Sequence, residues 1–282
     1  MLKRTGLCWI IFLLWGISCL AAAALTGSAA GSAAAGAQAL LMMALVAVHG
    51  STAIGWGGMA KFVGIVALVT FALEACSIAT GFPFGFYVHH MPGPRLLGVP
   101  AFVVIAYVLL SWFAWNIACV LIGEDGGGMS RGRWTTPIVA AFVLAGYDFV
   151  VDPINATVQH LYSYRFPGGT LGVPLTNFLG WLFTGWVAFQ LFALAGSSRL
   201  ALSGREPAQA LLPCFVWLVL AAQYPLLLAH APEGMSAVGN RRFVTADVYA
   251  FAASASLFAI ILPAVTAIAR LIHRTNASDI DR

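Results

Sequence analysis

The chain has 282 residues, of which 61% are hydrophobic and only 9% charged, with a formal net charge of +4. Soluble domains carry roughly 25% charged residues, so this composition excludes a water-soluble globule. The thinly spread basic residues exclude nucleic acid as a partner. With a mean hydropathy of +0.90, the partner that the whole length demands is membrane lipid.

A bilayer crossing takes about 20 apolar residues in a helix. Eight such segments follow in chain order: 7–25, 34–52, 57–80, 99–122, 134–153, 174–196, 207–230 and 244–271. We therefore expect one integral membrane domain over residues 1–282, an all-α polytopic bundle of about eight spans. The first run follows Lys3 and Arg4 and ends in four alanines, which also fits a cleavable signal peptide. Its length and the spans that continue after it favour a retained helix. The second run is the weakest, because Gly and Ala dominate its approach.

The basic residues orient the bundle. With the N-terminus inside, Lys3, Arg4, Lys61, Arg131, Arg133, Arg199, Arg205, Arg270, Arg274 and Arg282 face the cytoplasm, and Arg95, Arg165, Arg241 and Arg242 face the opposite side. The expected location is a bacterial cytoplasmic membrane, with both termini cytoplasmic. The five cysteines fall in apolar stretches without a CxxC or Cys/His cluster, so neither a disulfide framework nor a zinc site is indicated.

A charge inside a span costs about 2.5–3.5 kcal/mol on insertion scales, so each one asks for a reason. Glu74, Asp148, Asp152 and Asp247 are the candidates. In this topology all four lie toward the non-cytoplasmic ends of their helices, as do His89, His90, Asn155, His160 and Asn177. Hydration at the interface is the plain alternative, strongest for Asp247. Asp148 and Asp152 are four apart and share a helical face, and Pro153 follows them. Two carboxylates so close in a low-dielectric site do not both ionise easily, which leaves one as a candidate proton donor. The same DxxxD spacing could hold Mg²⁺ as in membrane prenyltransferases. Those need a second acidic motif and cations for a diphosphate, and only Arg95 and Arg165 are near. His49 and His273 stand near the other helix ends, apart from this set.

Leu97-Gly98-Val99-Pro100 recurs as Leu171-Gly172-Val173-Pro174, each opening an apolar span, with Glu74 and Asp148 each 24 residues before its glycine. Spans three–four and five–six thus read as related two-helix units, although a shared turn requirement would give the same match. The loops between them are punctuated by Gly and Pro: Gly81-Phe82-Pro83-Phe84-Gly85, Pro92-Gly93-Pro94 and Phe166-Pro167-Gly168-Gly169. Phe84, Phe86, Tyr87, Tyr162 and Tyr164 crowd these loops, and Trp181 follows in span six. An aromatic cavity edged by carboxylates suits a lipophilic substrate that becomes cationic; an interfacial aromatic belt would look similar. The GxxxxGK[ST], GxGxxG and GxSxG motifs do not occur, nor do the histidine sets of di-iron desaturases.

From Thr80 to about Trp186 the chain resembles the integral-membrane carotenoid hydratases of the bisanhydrobacterioruberin hydratase type. The resemblance rests on GFPFG at 81–85, Gly93-Pro94 followed by LGVP at 97–100, DFVVDP at 148–153 and GVPLTNFLGW at 172–181. Where the family pattern has polar-Tyr pairs and Trp-x-Trp, this chain has Phe86-Tyr87-Val88-His89 and Tyr162-Ser163-Tyr164. The resemblance implies addition of water to the terminal isopropylidene double bond of an acyclic carotenoid, through a tertiary carbocation. It implies a lipophilic polyene substrate and no cofactor or metal. Asp148, Asp152 and Glu74 are then the catalytic candidates, and Asn155, Asn177, Phe84, Tyr87, Tyr162, Tyr164, Trp181 and His89 the substrate-contacting ones. An end-group cyclase or prenyltransferase, or a lipid transporter using its intramembrane carboxylates, are the alternatives.

Overall fold

In lipid, an apolar run can satisfy its own backbone groups only as a helix. The computed structural model, described for residues 2–123, 129–195 and 206–280, follows that rule. Among the described residues, seven helices are long and apolar enough to cross a membrane. They make an all-α polytopic bundle. Leu7, Ile10, Leu13 and Ile17 of the first helix are each 45% exposed or more, which only a lipid surround tolerates over so many residues.

Helix α1 spans Leu2–Ala24. Ser28 caps α2, Ala29–Thr80, by accepting from the Gly31 amide at 3.0 Å. A straight helix of 52 residues would run about 78 Å, more than twice the bilayer core. It does not run straight. Gly55 sits at φ 72°, ψ 167°, a region only glycine enters without strain. The chain folds back there, and a Cβ on Gly50 would lie 2.4 Å from Met59 Sδ. The break falls between the expected segments 34–52 and 57–80, so α2 consists of two apolar arms.

Helices α3 (Ala101–Ile122), α4 (Met129–Pro153), α5 (Leu175–Leu194) and α6 (Pro207–Ala229) follow. The expected end of the fifth segment at Pro153 is extended by one turn. Proline removes one amide and crowds the carbonyl four residues back, and the chain widens into a π turn over Ile154–Val158. The last path runs through α7 (Thr245–Ser256), a π turn at Leu257–Ile261, and α8 (Leu262–Ile280).

Inside the bundle aromatic rings interlock. Phe62 meets Trp112 and Phe192 edge-on at 5.2 and 5.0 Å. His49 donates from Nε2 to the Gln209 carbonyl at 3.0 Å and accepts the Trp112 indole N–H on Nδ1 at 2.9 Å, tying α2, α6 and α3 together. It is a clamp in the core. Cys8, Cys19, Cys119 and Cys214 are buried, Cys76 is half-buried, and none of the five is in a disulfide.

Three connections carry short strands. Strands β1 (Tyr87–His89) and β4 (Tyr162–Tyr164) pair antiparallel, with Tyr87 opposite Tyr164 and His89 opposite Tyr162. Strands β2 (Arg95–Leu96) and β3 (Val99–Pro100) form one hairpin, and β5 (Met235–Val238) and β6 (Arg241–Val244) another. The LGVP repeat is a repeat of structure. Leu97 and Gly98 have φ 49° and 83°, and Leu171 and Gly172 have φ 48° and 91°. Both are two-residue turns with left-handed central residues, and Pro100 and Pro174 each sit at a helix N-cap.

Candidate active site

Strand geometry builds the first wall. Side chains alternate across a strand, so Tyr87 and His89 of β1 and Tyr162 and Tyr164 of β4 face inward, while Val88 and Ser163 face out. On the outer face His90 Nε2 lies 2.8 Å from Ser163 Oγ. Helix periodicity builds the second wall. Asp148, Val151, Asp152 and Asn155 follow one another on the inward face of α4 and its π turn. Glu74, from the second arm of α2, and Asn177 and Trp181, from α5, complete the set. All of these residues line one cavity of about 220 Å³.

The carboxyl groups are buried and bound in distinct ways. Asp152 accepts from the Tyr162 hydroxyl on Oδ1, and from the Tyr164 hydroxyl on Oδ2 at 3.1 Å. Asn177 Nδ2 donates both to Asp152 Oδ2 and, at 3.0 Å, to Asp148 Oδ2, so one amide bridges the acids. Asp152 thus takes three donors, the pattern of an ionised carboxylate, which offers none of its own. Asp148 is 1% exposed, and its Oδ1 has no protein partner. Glu74 accepts the Tyr87 hydroxyl on Oε2, and His89 Nε2 lies 3.3 Å from the same oxygen. The other His89 nitrogen, Nδ1, is buried and unpartnered, as is the Tyr107 hydroxyl. Burial, then the neighbouring carboxylates, holds the Tyr87, Tyr162 and Tyr164 phenols well above their usual range, so they stay neutral donors.

Of the residues expected from sequence, Phe84 is the exception on the cavity wall. It is fully buried behind Tyr87, edge-on at 6.3 Å, and packs so closely on Gly180 that a Cβ there would fall 2.4 Å from its ring. Ser77 pins this turn by donating to the Gly85 carbonyl at 2.8 Å and accepting the Phe84 amide at 3.1 Å. Asp247 lies apart, exposed in the first turn of α7, where a helix N-terminus favours negative charge. His160 is exposed beyond the π turn.

Tyr107 and Tyr147 also line the cavity, beyond the residues expected from sequence. Tyr107 stacks on Trp181 with centroids 3.9 Å apart and planes 11° apart. Tyr147 was legible as the neighbour of Asp148; Tyr107 had no signal beyond being a polar aromatic in an apolar run. Arg95 donates from Nη1 to the His89 carbonyl at 3.1 Å, and Arg165 lies over the Phe86 and Phe166 rings at 5.7 and 5.4 Å. Among the described residues, no Arg or Lys lines the cavity.

Apolar helices closed around an acid-lined interior cavity define an integral membrane protein whose buried site suits a lipophilic molecule. Residues 34–238 match the family described as carotenoid biosynthesis protein, and the chain belongs to that family. It is also 30% identical over 127 residues to the bisanhydrobacterioruberin hydratase of Haloarcula japonica, covering 44% of this chain and 41% of that protein. The chain therefore spans about two-fifths of that relative's length. No solved structure matches it.

Proposed function

We propose that this protein hydrates the terminal isopropylidene double bond of an acyclic carotenoid by acid catalysis. The observation that carries the proposal is the unpartnered Asp148 Oδ1 on the cavity wall, beside an Asp152 that accepts three hydrogen bonds. A proton passes from the Asp148 carboxyl to the less substituted alkene carbon, whose π electrons form the new C–H bond and leave a tertiary cation. Asp152, Glu74 and the stacked Tyr107–Trp181 faces surround that charge with negative potential. A water oxygen then bonds to the cationic carbon. Glu74, next to the His89 imidazole, accepts the proton that water sheds, and exchange between the carboxyls resets the site. Asn177 keeps the two aspartates in register, and Asn155 lines the same cavity one turn beyond Asp152.

The likeness to a named hydratase supports this reading, as does membership of a carotenoid biosynthesis family. The orientation that goes with it places the cavity on the non-cytoplasmic side, with both termini inside. Expression in a host that accumulates acyclic carotenoids tests the activity. Pigments heavier by one water per converted end are expected, and an unchanged pigment profile with protein present in the membrane would contradict it.

A further inference from the structure

Among the described residues, three that line the acid cavity carry a buried side-chain atom without a protein partner: Asp148 Oδ1, the Tyr107 hydroxyl and His89 Nδ1. A buried polar group left without a bond is costly, so each asks for a ligand. Hydration gives Asp148 to the alkene. Its other reactant is water, which needs a base to take one of its protons. A phenol is a donor, so of the two remaining groups the base is the imidazole. His89 is held with one nitrogen committed. In β1 it stands opposite Tyr162, and its ring meets those of Tyr87 and Tyr162 edge-on at 5.0 and 5.9 Å. Arg95 Nη1 donates to its carbonyl at 3.1 Å, which pins the backbone. Nε2 lies 3.3 Å from Glu74 Oε2. An ionised carboxylate only accepts, so the proton of a neutral His89 sits on Nε2 and Nδ1 carries a lone pair. A carboxylate that fixes the tautomer and leaves the other nitrogen free to act as a base is the logic of the hydrolase triads, here with the two nitrogens exchanged.

We infer that His89 Nδ1 is the base that holds and deprotonates the attacking water, with Glu74 as the carboxylate behind it. The inference rests on the proposed hydration and names the group that meets its second reactant. As the water oxygen bonds to the tertiary carbon, Nδ1 takes one water proton and the Nε2 proton passes to Glu74 Oε2. The imidazole changes tautomer and ends neutral. Glu74 thus receives its proton through the ring. Return of that proton to Asp148, and of the ring to its first tautomer, closes the cycle with only water consumed.

The test separates the two halves of the reaction. Full-length protein in nanodiscs receives an acyclic carotenoid in heavy water, and two quantities are measured: the alcohol formed, and the deuterium in the recovered carotenoid. Deuterium enters the recovered alkene when the cation forms and then loses a proton instead of gaining water. His89→Gln keeps an N–H for Glu74 and lacks Nδ1, and His89→Phe keeps a ring between Tyr87 and Tyr162; a thermal melt identifies folded protein. Each variant should lower alcohol formation by about 10²-fold or more, while the ratio of exchanged alkene to alcohol rises at least about tenfold. Asp148→Asn lacks the acid and should lose both products together. A ratio equal to the parent's in either folded variant would overturn the inference, because a residue that only supports the fold slows both halves alike. A parent protein that forms neither alcohol nor exchanged alkene would refute the hydration itself, and the role of His89 with it.

Discussion

Tyr107 and Trp181 stack face to face at 3.9 Å and stand 74 positions apart in the chain. The same spacing separates Trp115 from Phe189, which touch at 5.7 Å, and Glu74 from Asp148, which share a cavity. A contact between a residue and its own counterpart is what a local two-fold axis produces. The antiparallel pairing of β1 with β4, one strand from each unit, obeys the same relation. The acid cavity therefore lies between two related helix pairs, each of which supplies one carboxylate at the matching place.

The stack can be separated from its hydroxyl. Trp181→Leu removes a stacked face worth about 0.5–1.5 kcal/mol beyond its area, and the protein should melt a few degrees lower. Tyr107→Phe keeps the ring and deletes a buried hydroxyl without a partner, so it should melt at or above the parent temperature. Differential scanning in nanodiscs reads both. Equal destabilisation would assign the Tyr107 hydroxyl a bond in the folded protein.

Gly180 lets Phe84 close behind Tyr87. Gly180→Val should displace the Phe84 turn, loosen the Tyr87–Glu74 contact and lower carotenoid conversion by about tenfold or more, by analogy with the cost of small misplacements in other sites. Pigment analysis of cells expressing the variant at parent levels measures it; full conversion would show that the turn does not position the wall.

The three inward tyrosines give an alkaline signature. Their phenols are held above the ordinary value of about 10. The folded state then keeps protons that the unfolded chain releases above that pH, so the stability they contribute is full below about pH 10 and lost as pH rises beyond it. Absorbance titration should show Tyr87, Tyr162 and Tyr164 ionising only with unfolding. In a variant with all three changed to Phe, the loss of stability above pH 10 should be shallower.

Much of this was legible from residue order, and the rest was not for identifiable reasons. Long apolar runs announce helices because lipid leaves the backbone no other choice. The i, i+4 spacing of Asp148 and Asp152 and the LGVP repeat were equally direct. Gly55 as a fold-back point was marked only by the small residues around Trp56. The β1–β4 ladder was hidden because three-residue strands show no usable alternation, yet it aims four polar rings at the acids. Phe84, expected on the wall, stands behind it, since only the depth of packing on Gly180 separates those two roles.

The proposed orientation is open to a direct check. Reporter fusions after Gly123 should register the cytoplasm and fusions after Gly168 the opposite side, by the basic-residue asymmetry. The reverse pattern would move the acid cavity to the cytoplasmic face.

The measurement closest to the central claim is hydration by the purified protein in heavy water, using an acyclic carotenoid and the variants Asp148→Asn, Asp152→Asn and Glu74→Gln. The parent should place one deuterium on the carbon next to the new alcohol, because the alkene takes its proton from an exchanged carboxyl. An amide keeps the shape but cannot protonate an alkene. Asp148→Asn should therefore lose about 10²–10⁴-fold in rate, Asp152→Asn should fall comparably, and Glu74→Gln less. Undiminished, deuterated product from the folded Asp148→Asn/Asp152→Asn double variant would contradict the account, because the pair would then be structural and the acid would lie elsewhere.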